Sequence, residues 1–253
     1  MAPHSFLWHY LWLAPNALQL VIAVAMIRRK LVGEFPLFFS YTLFELLQGN
    51  TLFVLDHLPA VSGEQYWQAH WISLVISIAL RLGVIYEIFT HVFRPYPALE
   101  RLGRTAFRGT AAVLVLVAAG LAARAPWDDP TSFLSGIYVV SRAVSLVQCG
   151  LLLFIYLFSS YFGLSWRNYV FGIAVGMGIF SIVDLGVMSI EILTWPAPAS
   201  YILDFVGMAA YHCSVLVWLW YVLAREPVRY TVKELPKSDL EKWNAALERF
   251  LLQ

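Results

Sequence analysis

The sequence predicts an all-α polytopic membrane protein: a bundle of seven transmembrane helices with its N-terminus outside and its C-terminus cytoplasmic. Three observations predict it. The chain of 253 residues is 60% hydrophobic and only 13% charged, whereas a soluble domain averages about 25% charged residues. Its mean hydropathy is +0.69, and the apolar residues fall in runs of about 20, the length that crosses a bilayer core. Lysine and arginine, finally, crowd into alternate loops.

The spans run over roughly 7–27, 35–56, 69–92, 106–124, 133–161, 169–192 and 200–223. Turn-forming stretches separate them, among them LVGEFP, DHLPAVSGEQ, RPYPALERLGR, APWDDPT and TWPAPAS. The N-terminal MAPHSFLWHYLWLAP has no basic segment before its apolar run, so the first span reads as retained. Cys149 and Cys213 lie inside apolar runs and lack metal or redox spacing.

Orientation follows from the basic residues. Arg28, Arg29 and Lys30 follow the first span, Arg94, Arg101, Arg104 and Arg108 the third, and Arg167 the fifth. Six more lie beyond the seventh, whereas the other side carries only Arg124. The basic loops are therefore cytoplasmic, and the expected location is the bacterial inner membrane. Residues 1–223 form the bundle. Residues 224–253 form a cytoplasmic tail, in which Ser238 and Glu241 fit a capping box ahead of an amphipathic helix. That helix is suited to the membrane surface or to a cytoplasmic protein partner. Nothing points to nucleic acid.

Ionisable residues inside the spans are the candidates for function, because a charge at bilayer centre costs at least ~2.5–3.5 kcal/mol. They are Glu45, Arg81, Glu87, Arg142, Asp184, Asp204 and His212. On a helix, His70, Ser73, Ser77, Glu87 and His91 share a stripe with Arg81. Tyr138, Ser141, Ser145, Gln148 and Cys149 flank Arg142 in the same way, and Tyr41, Glu45, Gln48 and Thr51 share a face. RLGVIYE and RAVSLVQ each place a polar residue six after an arginine. The expectation is a polar interior lined by the second, third, fifth, sixth and seventh spans, with Glu45 and Asp184 as counter-charges to Arg81 and Arg142. The fourth span has no polar stripe and reads as peripheral. Gly172 and Gly176 have the small-xxx-small spacing of a close helix contact.

Two inward arginines suit a small anionic ligand held between helices, which makes a sensory or receptor-like bundle the leading reading. A transporter or proton-coupled carrier with a mid-membrane site is the alternative. A membrane enzyme acting on a lipid-linked substrate is the third, although no catalytic motif supports it. A network that only fixes helix register explains the same residues without a ligand. Retinal is excluded, since Lys30, Lys233, Lys237 and Lys242 all lie outside the spans. No cofactor or metal is expected. His9, His57 and His70 share one depth at the outer ends of the first three spans and are the candidates were a metal bound; the plain reading is interfacial histidines without a shared role.

The stretches RRKLVGEFPLFFSYTLFELLQ, VIYEIFTHVFRPYPALERLG and QCGLLLFIYLFSSYFGLSWRNYVFGIAVGMGIF resemble a family of bacterial seven-span membrane proteins of acidobacterial type. The resemblance covers most of the chain. It implies the topology and no activity, cofactor or catalytic residue.

Overall fold

The computed structural model describes residues 5–93, 141–150, 168–194 and 201–224, with isolated helical positions between 105 and 157. All the regular structure in them is helical. The helices are α1 (Phe6–Arg28), α2 (Pro36–His57), α3 (Gly63–Phe93), α4 (141–150), α5 (Tyr169–Thr194) and α6 (Tyr201–Leu223). They overlap the first, second, third, fifth, sixth and seventh expected spans, with α3 beginning at Gly63, ahead of the expected residue 69. Apart from the isolated helical positions 105, 109, 112 and 116, the basic segment 94–109 and the fourth span lie outside the described residues, as do Arg124 and the tail helix.

Among the described residues four helices are long and apolar enough to cross a membrane: α1, α3, α5 as far as Ile190, and α6. This is the build of a membrane-embedded protein. α2 is of similar length, but Glu45, Gln48, Asn50 and Thr51 dilute its apolar content, and it is not among the four. Leu20, Ile72, Ile202 and Trp220 are each more than half exposed. In water such a surface would be a liability; in a bilayer it is the solvent-facing side.

Each helix is bounded by identifiable chemistry. Ser5 caps α1, its hydroxyl accepting from the Trp8 N–H. Lys30 then ends that helix in the left-handed region, at φ 59°, a conformation that glycine more often supplies. Ser62 and Gln65 form a reciprocal capping box at the start of α3. α2 begins with Pro36 in its first turn, and its capping residue Phe35 offers no side-chain acceptor. That acceptor comes from another helix: the Glu87 carboxylate of α3 takes the Leu37 N–H at 2.8 Å and the Phe38 N–H at 2.9 Å.

The helices make a ring in chain order. α1 packs on α2, α2 on α3, α5 on α6, and α6 returns to α1. α3 and α5 touch only sparsely, and α4 bridges them, with Val144 packed in a small apolar cluster with Ile78 and Ile85. The main apolar core joins the other five helices around the fully buried Trp218. Its indole meets Phe38, Tyr41 and Tyr211 edge-on and donates to the Ile173 carbonyl at 3.2 Å. The expected glycine contact is what admits it. A Cβ on Gly176 would fall inside the Trp218 indole, and one on Gly172 inside the Tyr221 ring.

Arg29 closes the ring on the cytoplasmic side of the expected topology. Its guanidinium donates to the Leu223 carbonyl at 2.8 Å and to that of Ala224, covering carbonyls that the end of α6 leaves open.

Gly176→Leu is expected to force α5 and α6 apart, with an overpacking cost of about 1–3 kcal/mol or more. Thermal unfolding in detergent checks this, with Gly186→Leu as the control, since nothing lies within 4 Å of a Cβ at Gly186.

Candidate functional site

The polar residues meet where the apolar ring is thinnest, between α3, α4 and α5. Arg81 stands near the middle of α3 and is buried. Its Nη2 donates to the Ser145 hydroxyl at 2.6 Å and to Gln148 Oε1 at 3.3 Å, and lies 3.6 Å from Asp184 Oδ2. Ser145 in turn donates to Asp184 at 2.8 Å, and Ser181 donates to Gln148 Oε1. The guanidinium also covers the Phe180 ring, 5.0 Å from its centroid. Thus α4 supplies the relay groups, α5 the counter-charge, and α3 the cation.

A second group adjoins it from α1, α2 and α6. Glu45 accepts from Ser77 and, at 2.7 Å, from Gln48. Gln19 donates to the Tyr211 hydroxyl, which shares a hydrogen bond with Tyr41. Arg81 attracts Glu45 across the interior, but no basic side chain forms an ion pair with Glu45 among the described residues. One guanidinium therefore faces two carboxyl groups, the buried Glu45 and the half-buried Asp184.

The structure brings together Glu45, Arg81, Gln148 and Asp184. It separates the others. Arg142, expected on the inward face, is exposed. The buried face of α4 is Ser141, Val144, Ser145 and Gln148, and Arg142 lies about 100° around the helix from Ser141. Leaving a guanidinium outside that face costs less than burying a second unpaired one. The matched spacing of RLGVIYE and RAVSLVQ thus does not describe matched roles. Glu87 is buried but committed to capping α2. Asp204 is exposed in the first turn of α6, where an acid complements the helix dipole. His212 lies against Tyr10, 5.6 Å between ring centroids, and makes no hydrogen bond or ion pair with the Arg81 group among the described residues.

The expected set of lining helices also omitted α1, which contributes Gln19 and the buried Asn16 facing Gly49. Two amides three apart in an otherwise apolar run, NALQ, were the available signal. His9 and His57 meet at the α1–α2 end, while His70 packs apart from them with Tyr66, Trp67 and Trp71.

Not every group in the core is satisfied. Arg81 Nε, Gln148 Nε2 and the Ser141 hydroxyl are buried and have no hydrogen-bond partner among the described residues. Buried polar groups in native proteins are paired with protein, water or ligand in all but a few cases. These three, on α3 and the buried face of α4, make that junction the candidate site; Trp8 Nε1, Asn16 Nδ2, Gln19 Oε1, Gln48 Oε1 and His212 Nδ1 are likewise without a partner among the described residues.

Compared with protein-family models, with curated proteins and with solved structures, the chain matches none.

Arg81→Ala is expected to leave the half-buried Asp184 without its cation, a loss of at most about 3–5 kcal/mol, whereas Arg142→Ala should cost little. The folded yield of the two variants in detergent measures the difference. Glu87→Ala should destabilise by about 1–2 kcal/mol through loss of the α2 cap. Glu87→Gln, which keeps an acceptor, should cost less; thermal unfolding of the pair checks the order.

Proposed function

We propose that the chain is a seven-span, N-outside protein of the bacterial inner membrane, and that it works as a receptor-like bundle holding a small ligand beside Arg81. The resemblance to the acidobacterial-type family supports this topology. The observation that carries the functional reading is that three of the buried polar groups without a hydrogen-bond partner among the described residues, Arg81 Nε, Gln148 Nε2 and Ser141 Oγ, belong to α3 and the buried face of α4, while Trp8 Nε1, Asn16 Nδ2, Gln19 Oε1, Gln48 Oε1 and His212 Nδ1 lie on α1, α2 and α6.

Charge narrows the ligand. Asp184 already faces Arg81, so the pair is close to neutral, and an anion would have to displace that carboxylate. With Arg142 outside, the second cation that suited an anion is missing. The N–H groups left over suit an uncharged molecule presenting carbonyl or ether oxygens. Binding it would place its acceptors between α3 and α4 and shift the sparse α3–α5 contact, a route by which occupancy reaches the cytoplasmic loops.

A proton-coupled carrier is the second reading, favoured by one guanidinium facing two carboxyl groups, the buried Glu45 and the half-buried Asp184. Glu45, the acid without an ion pair among the described residues, would be the proton-binding group.

A thermal-shift screen of the purified protein against small neutral amides, ketones and ethers, beside matched carboxylates, separates these readings. The expected result is stabilisation by acceptor-bearing neutral solutes that Gln148→Leu abolishes while the unliganded protein stays folded. Stabilisation by carboxylates alone, or an equal response in Gln148→Leu, would refute the receptor-like reading. Proton uptake by proteoliposomes that Glu45→Gln abolishes would establish the carrier instead.

A further inference from the structure

The histidine pair His9 and His57 lies away from the Arg81 core, where α1 begins and α2 ends. Neither side chain takes part in the ligand site proposed above. Three features of their geometry belong together.

The first is the tautomer. His9 Nδ1 lies 3.0 Å from the Ser5 carbonyl oxygen, and His57 Nδ1 lies 2.9 Å from that of Phe53. A carbonyl can only accept, so each Nδ1 carries the hydrogen. In the neutral rings both Nε2 atoms then present lone pairs. A backbone carbonyl on the far nitrogen is the usual support of a metal-binding imidazole, because it fixes the ring and leaves Nε2 to coordinate. His57 has a second support in Asp56, whose Oδ2 lies 3.6 Å from Nδ1.

The second is the separation. The two Nε2 atoms are 3.3 Å apart. Two lone pairs at that distance repel unless a cation lies between them. Nitrogen ligands about 2.0–2.1 Å from a tetrahedral zinc ion stand about 3.3–3.4 Å from one another. A proton shared by the rings is the other cation that would hold them at this distance, and titration with metal distinguishes the two.

The third is rigidity. Phe53 packs on both rings, with centroids 4.3 Å from His57 and 6.1 Å from His9, and Trp12 braces Phe53 from the other side at 5.6 Å. The rings are thus held by carbonyls behind and an aromatic surface beside, while the His57 side chain remains 41% exposed. An ion can reach the pair without opening the bundle.

We propose that His9 and His57 form a two-imidazole site for a transition-metal dication of the zinc class, clipping the start of α1 to the end of α2. No group of three or more histidine, cysteine or carboxylate ligands occurs among the described residues; the two imidazoles are the protein ligands assigned here. Imidazole selects zinc, nickel and copper over magnesium and calcium, which prefer oxygen ligands.

Calorimetric titration of the chelator-stripped full chain in detergent tests the site with the metals alone. Zn²⁺, Ni²⁺ and Cu²⁺ should each bind at one ion per chain, Cu²⁺ most tightly, and Mg²⁺ and Ca²⁺ should not compete. His9→Ala and His57→Ala should each weaken Zn²⁺ binding by at least about tenfold, with His70→Ala unchanged. X-ray absorption at the zinc edge should show two imidazole nitrogens. Unfolding of each metal-free variant, with His57→Gln as a second substitution, separates a lost ligand from a lost fold. Absence of Zn²⁺ binding to the wild type, binding that survives in the His9→Ala/His57→Ala double variant, or a zinc spectrum with fewer than two imidazoles would each overturn the assignment.

Discussion

A guanidinium buried in a helical bundle must be answered from within the bundle, and much of the arrangement follows from answering Arg81. Water does not reach it to solvate the charge, and its place near the middle of α3 puts the headgroups out of easy reach. It therefore collects a carboxylate from α5, a hydroxyl and an amide from α4 and an aromatic face from Phe180. These contacts occupy the one joint of the ring where apolar packing is sparse. Elsewhere the ring is held by shape: glycines in α5 against large aromatics in α6, and Trp218 filling the middle. The polar joint is held by charge and direction. Apolar packing tolerates a small slide, whereas a hydrogen-bonded ion pair has few good geometries, so the two kinds of joint respond differently to the same strain.

Much of this was legible in the sequence, because membranes make the reading simple. Apolar length gives the helices, and a polar residue inside one must face protein. That logic placed Glu45, Arg81 and Asp184 in one interior and singled out the close approach at Gly172 and Gly176. It failed where a residue had a second way to be satisfied. Arg142 sits at the edge of a buried stripe, and periodicity alone does not say which side of that edge a long side chain takes. Glu87 satisfies its carboxylate on backbone N–H groups of α2, and backbone partners leave no mark in a side-chain pattern. Asn16 and Gln19 escaped because amides carry no charge to draw attention, although they are buried as fully as the acids.

Glu87 and Arg29 show the same economy from opposite ends of a helix. Each places a charge where the backbone exposes the opposite partial charge: a carboxylate at the start of α2, a guanidinium at the close of α6. Both come from a different helix than the one they serve. Capping here is a tertiary contact, and it ties the ends of the helices together as the core ties their middles.

The closure between α1 and α6 sets the order in which the protein can be completed. α1 leaves the ribosome nearly two hundred residues before α6. Until α6 arrives, Gln19 lacks Tyr211 and Arg29 lacks the carbonyls it covers. The opening segment must wait in the insertion machinery or the lipid with an amide exposed, and the final segment is the one that relieves it. Truncating the chain before α6 removes more than one helix, because the beginning of the protein depends on its end for partners.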